Sequence, residues 1–254
     1  MREKIKKGII GLNPDFNYRG TNQTRVETLS DAVFAIAIAL LVLSSSVPER
    51  FDELLESMHD LIPFAICITL LSLVWYQHYL FFIRYGLQDS KTVALNTVLL
   101  FLILFYVYPL KFLFKVLYQL FYGGFTNNSE ILNKLFNETL PINDSPSLMI
   151  IYGIGATLIF FTLALMYFYA SKKKEDLELS VRELYDTKSS IYNNLIMGAI
   201  PLLSVIISWL GIGGSSVTFT WAGFIYWLYM PIMPIYSISR ARIRKKKFGA
   251  MTEE

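Results

Sequence analysis

The residues of this chain best placed to do chemistry are polar groups at the entrance to an apolar stretch. Arg25, Ser30 and Asp31 open RVETLSDAVFAIAIALLVLSSS (25–46), which then runs without another charge. An ionisable side chain in a membrane span is expensive, so it faces a protein interior or water. Such groups mark an ion path, a proton relay or a buried anchor. Two readings stand on residue types alone. In one, Arg25 snorkels to the interface and the Ser30–Asp31 pair caps the helix. In the other, the triplet joins a polar layer shared with neighbouring spans. Trp75, Gln77 and His78 lie near the inner end of the second apolar run, and Asn96 lies early in the third. Consecutive spans run in opposite directions, which puts all of these at the depth of Arg25 to Asp31. A Trp Nε1–H or a His N–H could satisfy Ser30 and Asp31. His78 reads as structural.

The same stretch carries a pattern of size. Ile36, Leu40 and Leu43 follow i, i+4, i+7 spacing and share one stripe of a helix. Ala32, Ala35, Ala37 and Ala39 are small enough to admit close neighbouring backbones. Taken alone, such a stripe is equally suited to plain packing against neighbouring helices.

Enzyme chemistry is not indicated. H-E-x-x-H, G-x-S-x-G and the P-loop pattern are absent, and the two histidines, His59 and His78, fall at opposite membrane faces. Cys67, the one cysteine, lies within a span and reads as a packing residue, which leaves no intrachain disulfide and no cysteine metal cluster. The expectation is a non-enzyme without a cofactor. A net charge of +3 is too small to suggest a nucleic-acid partner.

The elements that must position these groups are membrane helices. The chain is 54% hydrophobic, close to a soluble protein, but its charges are confined to short intervals between long uncharged runs. These runs predict an all-α integral membrane protein with six spans at about 25–46, 61–83, 92–121, 147–170, 189–210 and 216–238. Residues 1–24 read as a cytoplasmic tail without a cleavable signal sequence, 25–238 as the membrane domain, and 239–254 as a basic cytoplasmic tail. The interval 171–188 alternates charges with apolar residues and predicts a separate surface helix. Pro201 predicts a kink in the fifth span, and Pro231 and Pro234 loosen the sixth.

Orientation follows from lysine and arginine. Six lie at or before Arg25, two in the 84–91 turn, five in 171–188 and six in the C-terminal tail, so 19 of the 23 share one side. Both termini should be cytoplasmic, in the cell (plasma) membrane. Matched broken helices of the inverted-repeat transporter kind are not seen. No internal repeat is visible either, so a pore would need several copies of the chain around an axis.

Arg25-x-x-x-Leu29-Ser30-Asp31 followed by AVFAIAIALLVL resembles the Arg-x-x-x-Phe-Ser-Asp first helix of the transmembrane protein 175 family. That family comprises lysosomal potassium channels and their shorter bacterial and archaeal relatives. The similarity continues through Trp75, His78, Leu80, Phe81, Asn96 and Pro109, and beyond the third span rests on hydropathy. The resemblance implies a single-repeat homotetramer, partnered by its own copies and by membrane lipids, whose first helices line one central pore. It implies potassium as the permeant ion, with sodium and protons as further candidates. It places the hydrophobic constriction at Ile36, Leu40 and Leu43, and it puts Arg25, Ser30 and Asp31 in a network with Trp75, His78 and Asn96.

Two residues depart from the family pattern. Leu29 stands in place of the motif's Phe. Ala39 stands where many members carry a Thr tied to potassium preference, so a hydroxyl that could coordinate water or an ion is missing. A TVGYG-type filter does not occur in the sequence, and a pore ringed by Ile36, Leu40 and Leu43 would gate by width and wetting along an apolar plug of roughly 10 Å. Ser44, Ser45 and Ser46 would supply hydroxyls at the outer mouth, beside the acidic Glu49, Asp52, Glu53 and Glu56. The competing readings are a proton-permeable channel, a secondary cation or proton-coupled transporter using Asp31, and a membrane scaffold without transport.

Overall fold

Inside a bilayer no water is available to the backbone, so long apolar runs must close their hydrogen bonds within themselves. They do so here as helices. The computed structural model describes residues 16–20, 22–43, 49–51, 54–55, 58 and 60–249. The helices are α1 (Arg25–Leu43), α2 (Leu61–Tyr85), α3 (Ser90–Phe125), the short α4 (Ser129–Lys134), α5 (Ser145–Lys172), α6 (Val181–Leu210), α7 (Ser215–Phe224) and α8 (Tyr229–Phe248). Five of them (α1, α2, α3, α5 and α6) are long and apolar enough to cross a membrane. The outer mouth expected at Ser44, Ser45 and Ser46 lies outside the described residues, as do Asp52, Glu53 and Glu56.

Three expectations from the sequence are corrected. The sixth span, 216–238, is not one helix: α7 passes through a 3₁₀ turn at Ile225–Leu228 into α8. Pro231 has no N–H to continue the ladder, and its ring crowds the carbonyl four residues back, at Trp227, inside that turn. Of the tail expected at 239–254, residues 239–248 are helix, because α8 runs on to Phe248 and docks on α6, and 250–254 lie outside the described residues. Arg244 pairs with Asp186 at 3.0 Å, and Arg240 donates to the Ser189 hydroxyl at 2.6 Å while its guanidinium lies 4.2 Å above the Tyr185 ring. Of the separate surface helix expected in 171–188, residues 181–188 are the start of α6 itself, while 171–172 end α5 and turns lie between. Ser180 and Glu183 form a capping box there, which fixes the helix start at Val181.

The most extensive helix pair is α5 with α6. Between α6 and α7 the chain reverses within Gly211–Gly214. Gly211, Gly213 and Gly214 take positive φ there, a conformation that side chains resist. At the opposite end of the bundle, Asp89 sits in the turn before α3. Burial raises its pKa, but the Tyr169 hydroxyl, then Thr92 and Lys173, outweigh burial and hold its carboxyl below the usual carboxylate range.

The end of the expected N-terminal tail is packed rather than loose. Phe16 and Tyr18 are buried. The Arg19 N–H donates to the Arg84 carbonyl at 3.3 Å, and the Gly20 N–H donates to the Ile83 carbonyl at 3.1 Å. Arg19 also pairs with the buried Glu183 at 2.8 Å, and the Asn17 N–H donates to the same carboxylate at 2.9 Å. A buried charge persists only when partnered in this way. Residues 16–20 therefore bridge the end of α2 and the start of α6, just before the chain enters α1.

The approach requires glycine at position 20, because a Cβ there would lie 2.1 Å from the Phe82 carbonyl oxygen. Gly20→Ala is expected to lift this segment and to lower stability by about 1–3 kcal/mol, the usual effect of overpacking. Thermal melting together with faster proteolytic cleavage near residue 20 would register it. Wild-type values for both would show that the contact is not needed.

Candidate pore helix and its polar anchor

Helix α1 starts at a second capping box. The Glu27 N–H donates to the Thr24 hydroxyl at 3.1 Å, and the Glu27 carboxylate accepts from the Thr24 N–H at 2.8 Å. The Thr-x-x-Glu spacing was available in the sequence as a helix start signal, and the Ser30–Asp31 pair, read as one capping alternative, lies a turn inside it. At 1.5 Å per residue α1 is roughly 28 Å long, about the thickness of the hydrocarbon layer.

One face of α1 is buried within the subunit, through Glu27, Ser30, Phe34, Ala37 and Leu41. Their spacing alternates three and four, as a helix packed along one stripe requires. The opposite face has no cover among the described residues. Ile36 is 53% exposed and Leu43 75% exposed, and Ala32, Ala35 and Ala39 are exposed beside them. The stripe chosen by size therefore divides. Ile36 and Leu43 lie on the open face with Ala39, whereas Leu40 is half-buried and packs at the flank of the subunit core. Of the four alanines, Ala37 alone is buried among the described residues.

The polar layer forms from three helices. The Asn96 amide N–H donates to the Ser30 hydroxyl at 2.9 Å, and the Ser30 hydroxyl donates to the Val26 carbonyl at 2.8 Å. The Asn96 carbonyl oxygen is 2.8 Å from His78 Nε2. Since that oxygen can only accept, the Nε2 atom must carry the proton, and the bonds run in one direction from His78 through Asn96 and Ser30 to the backbone. The His78 ring packs between Phe34, at 5.6 Å, and Phe82, at 4.7 Å, and is buried with Ser30 and Asn96. Burial obliges such groups to be satisfied, and here each is.

Asp31 is held separately, on the open side. Trp75 Nε1–H donates to one carboxylate oxygen at 2.8 Å, and the Gln23 amide donates to the other at 3.2 Å. The structure thus brings together Ser30, Asp31, Trp75, His78 and Asn96. It leaves Arg25 exposed, outside this network among the described residues. Gln77 does not join it: its backbone carbonyl accepts from the Tyr167 hydroxyl at 3.3 Å.

The outer end of α1 has an anchor that the sequence reading missed. Lys111 of α3 donates to the Leu41 carbonyl at 2.8 Å. A few residues along α3, Lys115 pairs with Asp60 at 3.3 Å, at the start of α2. Lys111 stands about 30 Å along α3 from Ser90, level with the end of α1. A lysine inside an apolar run was the available signal, but its partner was not.

These elements define a multi-pass α-helical membrane protein whose first helix is fastened along one face and open along the other. Residues 25–106 match the family described as endosomal/lysosomal potassium channel TMEM175. A potassium channel of Marivirga tractuosa is 50% identical over 251 residues, covering 99% of both chains. A solved structure of the potassium channel MtTMEM175, a threonine-to-alanine variant bound to a nanobody–MBP fusion, aligns with TM-score 0.82 and 51% identity. It covers 92% of this chain and 100% of that one. A TMEM175 homolog from Chamaesiphon minutus, described as a lysosomal potassium-selective channel, shares the fold at TM-score 0.51 and 19% identity, over 80% of this chain and 95% of its own. The chain belongs to the TMEM175 family of potassium channels, in its prokaryotic branch.

Proposed function

We propose that the protein is a potassium-permeable cation channel of the cell membrane. Four copies assemble so that their α1 helices line a central pore, with both termini cytoplasmic and the α7–α8 pair completing a sixth crossing. The observation that carries this reading is the open face of α1. A helix held along its whole buried face still presents Ile36 and Leu43, with Ala32, Ala35 and Ala39 beside them, to whatever lies beyond the subunit. Rings of Ile36 and Leu43, with Leu40 shaping their flank, make an apolar constriction that excludes water and so raises the barrier to a hydrated ion. No enzymatic step and no cofactor enters the proposal.

The engagement of both Asp31 oxygens supports an anchoring role over a carrier site, since a carrier carboxylate must release its partners to bind the transported ion. Ser30, Asp31, Trp75, His78 and Asn96 then serve to hold the base of α1. Purified protein in liposomes should pass K+ down its gradient as unitary currents and run as a tetramer by light scattering. Saturating, coupled uptake or the absence of any flux would overturn the proposal.

Selectivity is the second point of test. Ala39 lies on the open face and offers no oxygen. Ala39→Thr is expected to sharpen K+ over Na+ preference, read as a shift in reversal potential under bi-ionic conditions. An unchanged ratio would remove position 39 from the selectivity-determining set.

A further inference from the structure

We propose that Lys111 is a positioning residue of the gate, fastening the outer end of α1 to α3 through the Leu41 carbonyl. The inference rests on the reading of α1 as the pore-lining helix.

α1 and α3 are separated in sequence by one antiparallel helix and therefore run parallel. Asn96 grips Ser30 near the inner end of α1 at 2.9 Å, and Lys111 grips Leu41 near its outer end at 2.8 Å. α1 is thus tied to a single neighbour at two levels, with Ile36 and Leu40 between them and Leu43 just beyond the outer one.

The outer tie has its own electrostatic logic. Carbonyls in the last turn of a helix hold the negative end of its dipole, and a cation placed there stabilises both the turn and its position. The flexible lysine stem lets the half-buried ammonium reach the turn from α3. The salt bridge from Lys115 to Asp60 ties the start of α2 to the same part of α3. α3 is therefore the post against which the outer end of α1 is set. A motion of α1 that widens the Leu43 ring must either carry α3 with it or release Lys111.

The test is K+ efflux from liposomes containing the purified full-length protein and its K111M, K111R, I36A, L43A and K111M/L43A variants. K111M is expected to raise efflux by about fivefold, with K111R returning it to near the wild-type rate, because the cation and its reach are restored. In the L43A background K111M should add nothing, since the ring it positions is gone. Wild-type or lower flux in K111M, no rescue by K111R, or undiminished multiplication of the two effects would overturn the role of Lys111. If K111M fails to assemble, K111Q replaces it, and wild-type flux in K111Q overturns the role equally. The two readings fail differently: silence of L43A and I36A removes the pore assignment, whereas silence of K111M beside an active L43A removes only the positioning role.

Discussion

Leu43→Asn is expected to raise passive K+ efflux by about tenfold or more, a change of at least about 1.4 kcal/mol in the permeation barrier. The side chain is the most exposed large hydrophobic of α1, at 75%, on the face opposite the subunit core. In a symmetric assembly a single substitution changes every member of the ring at once. Asparagine offers water two donors and an acceptor where leucine offers none, so the constriction stays wet and an ion keeps its hydration. Ile36→Asn should act similarly from one ring further in. Leu40→Asn should act less on flux and more on folding, because its side chain is half-buried against the core. Flux assays with melting curves on the same three proteins separate these effects. Unchanged efflux at all three positions would sink the pore assignment.

The largest loss of stability is expected from Asn96→Leu, on the order of 2–4 kcal/mol. The amide makes two buried hydrogen bonds, to Ser30 at 2.9 Å and with His78 at 2.8 Å. Leucine has comparable bulk, so the space stays filled while the His78 Nε2–H loses its acceptor in a buried site. An unsatisfied buried donor loses more than the net worth of the bond it made. Ser30→Ala should be milder. It leaves one Asn96 amide N–H without its acceptor, but the bond between the Asn96 carbonyl and the His78 Nε2–H survives, so one bond between helices is lost instead of two. The predicted order of melting temperatures, from highest to lowest, is wild type, then Ser30→Ala, then Asn96→Leu. An Asn96→Leu protein that melts with wild type would show that the layer is decorative.

What could be read from the chain was what is local or periodic. Spans follow from unbroken apolar runs, and the second to fifth expected spans correspond to single helices of somewhat greater length. The polar layer of Ser30, Asp31, Trp75, His78 and Asn96 was legible because antiparallel spans fix which ends share a depth. The composition of α1 also implied a special face, since spacing alone groups Ile36 with Leu43.

Tertiary structure decided the rest. Leu40 belongs to the flank because the angle at which α1 docks on α2 and α3 is set by side chains of those helices, not by the period of α1. The ties from Lys111 to Leu41 and from Arg19 to Glu183 join residues 70 and 164 positions apart, and no local pattern connects them. The basic segment after 239 read as a tail because charge alone marks a solvated end. It is helix through Phe248 because Asp186 and Ser189 on α6 offer Arg244 and Arg240 partners. The sequence by itself determined that polar groups would gather at the base of the first helix. Only the packing of α2 and α3 against it decided which face they hold and which face remains open, because a helix repeats every 3.6 residues whichever way it is turned.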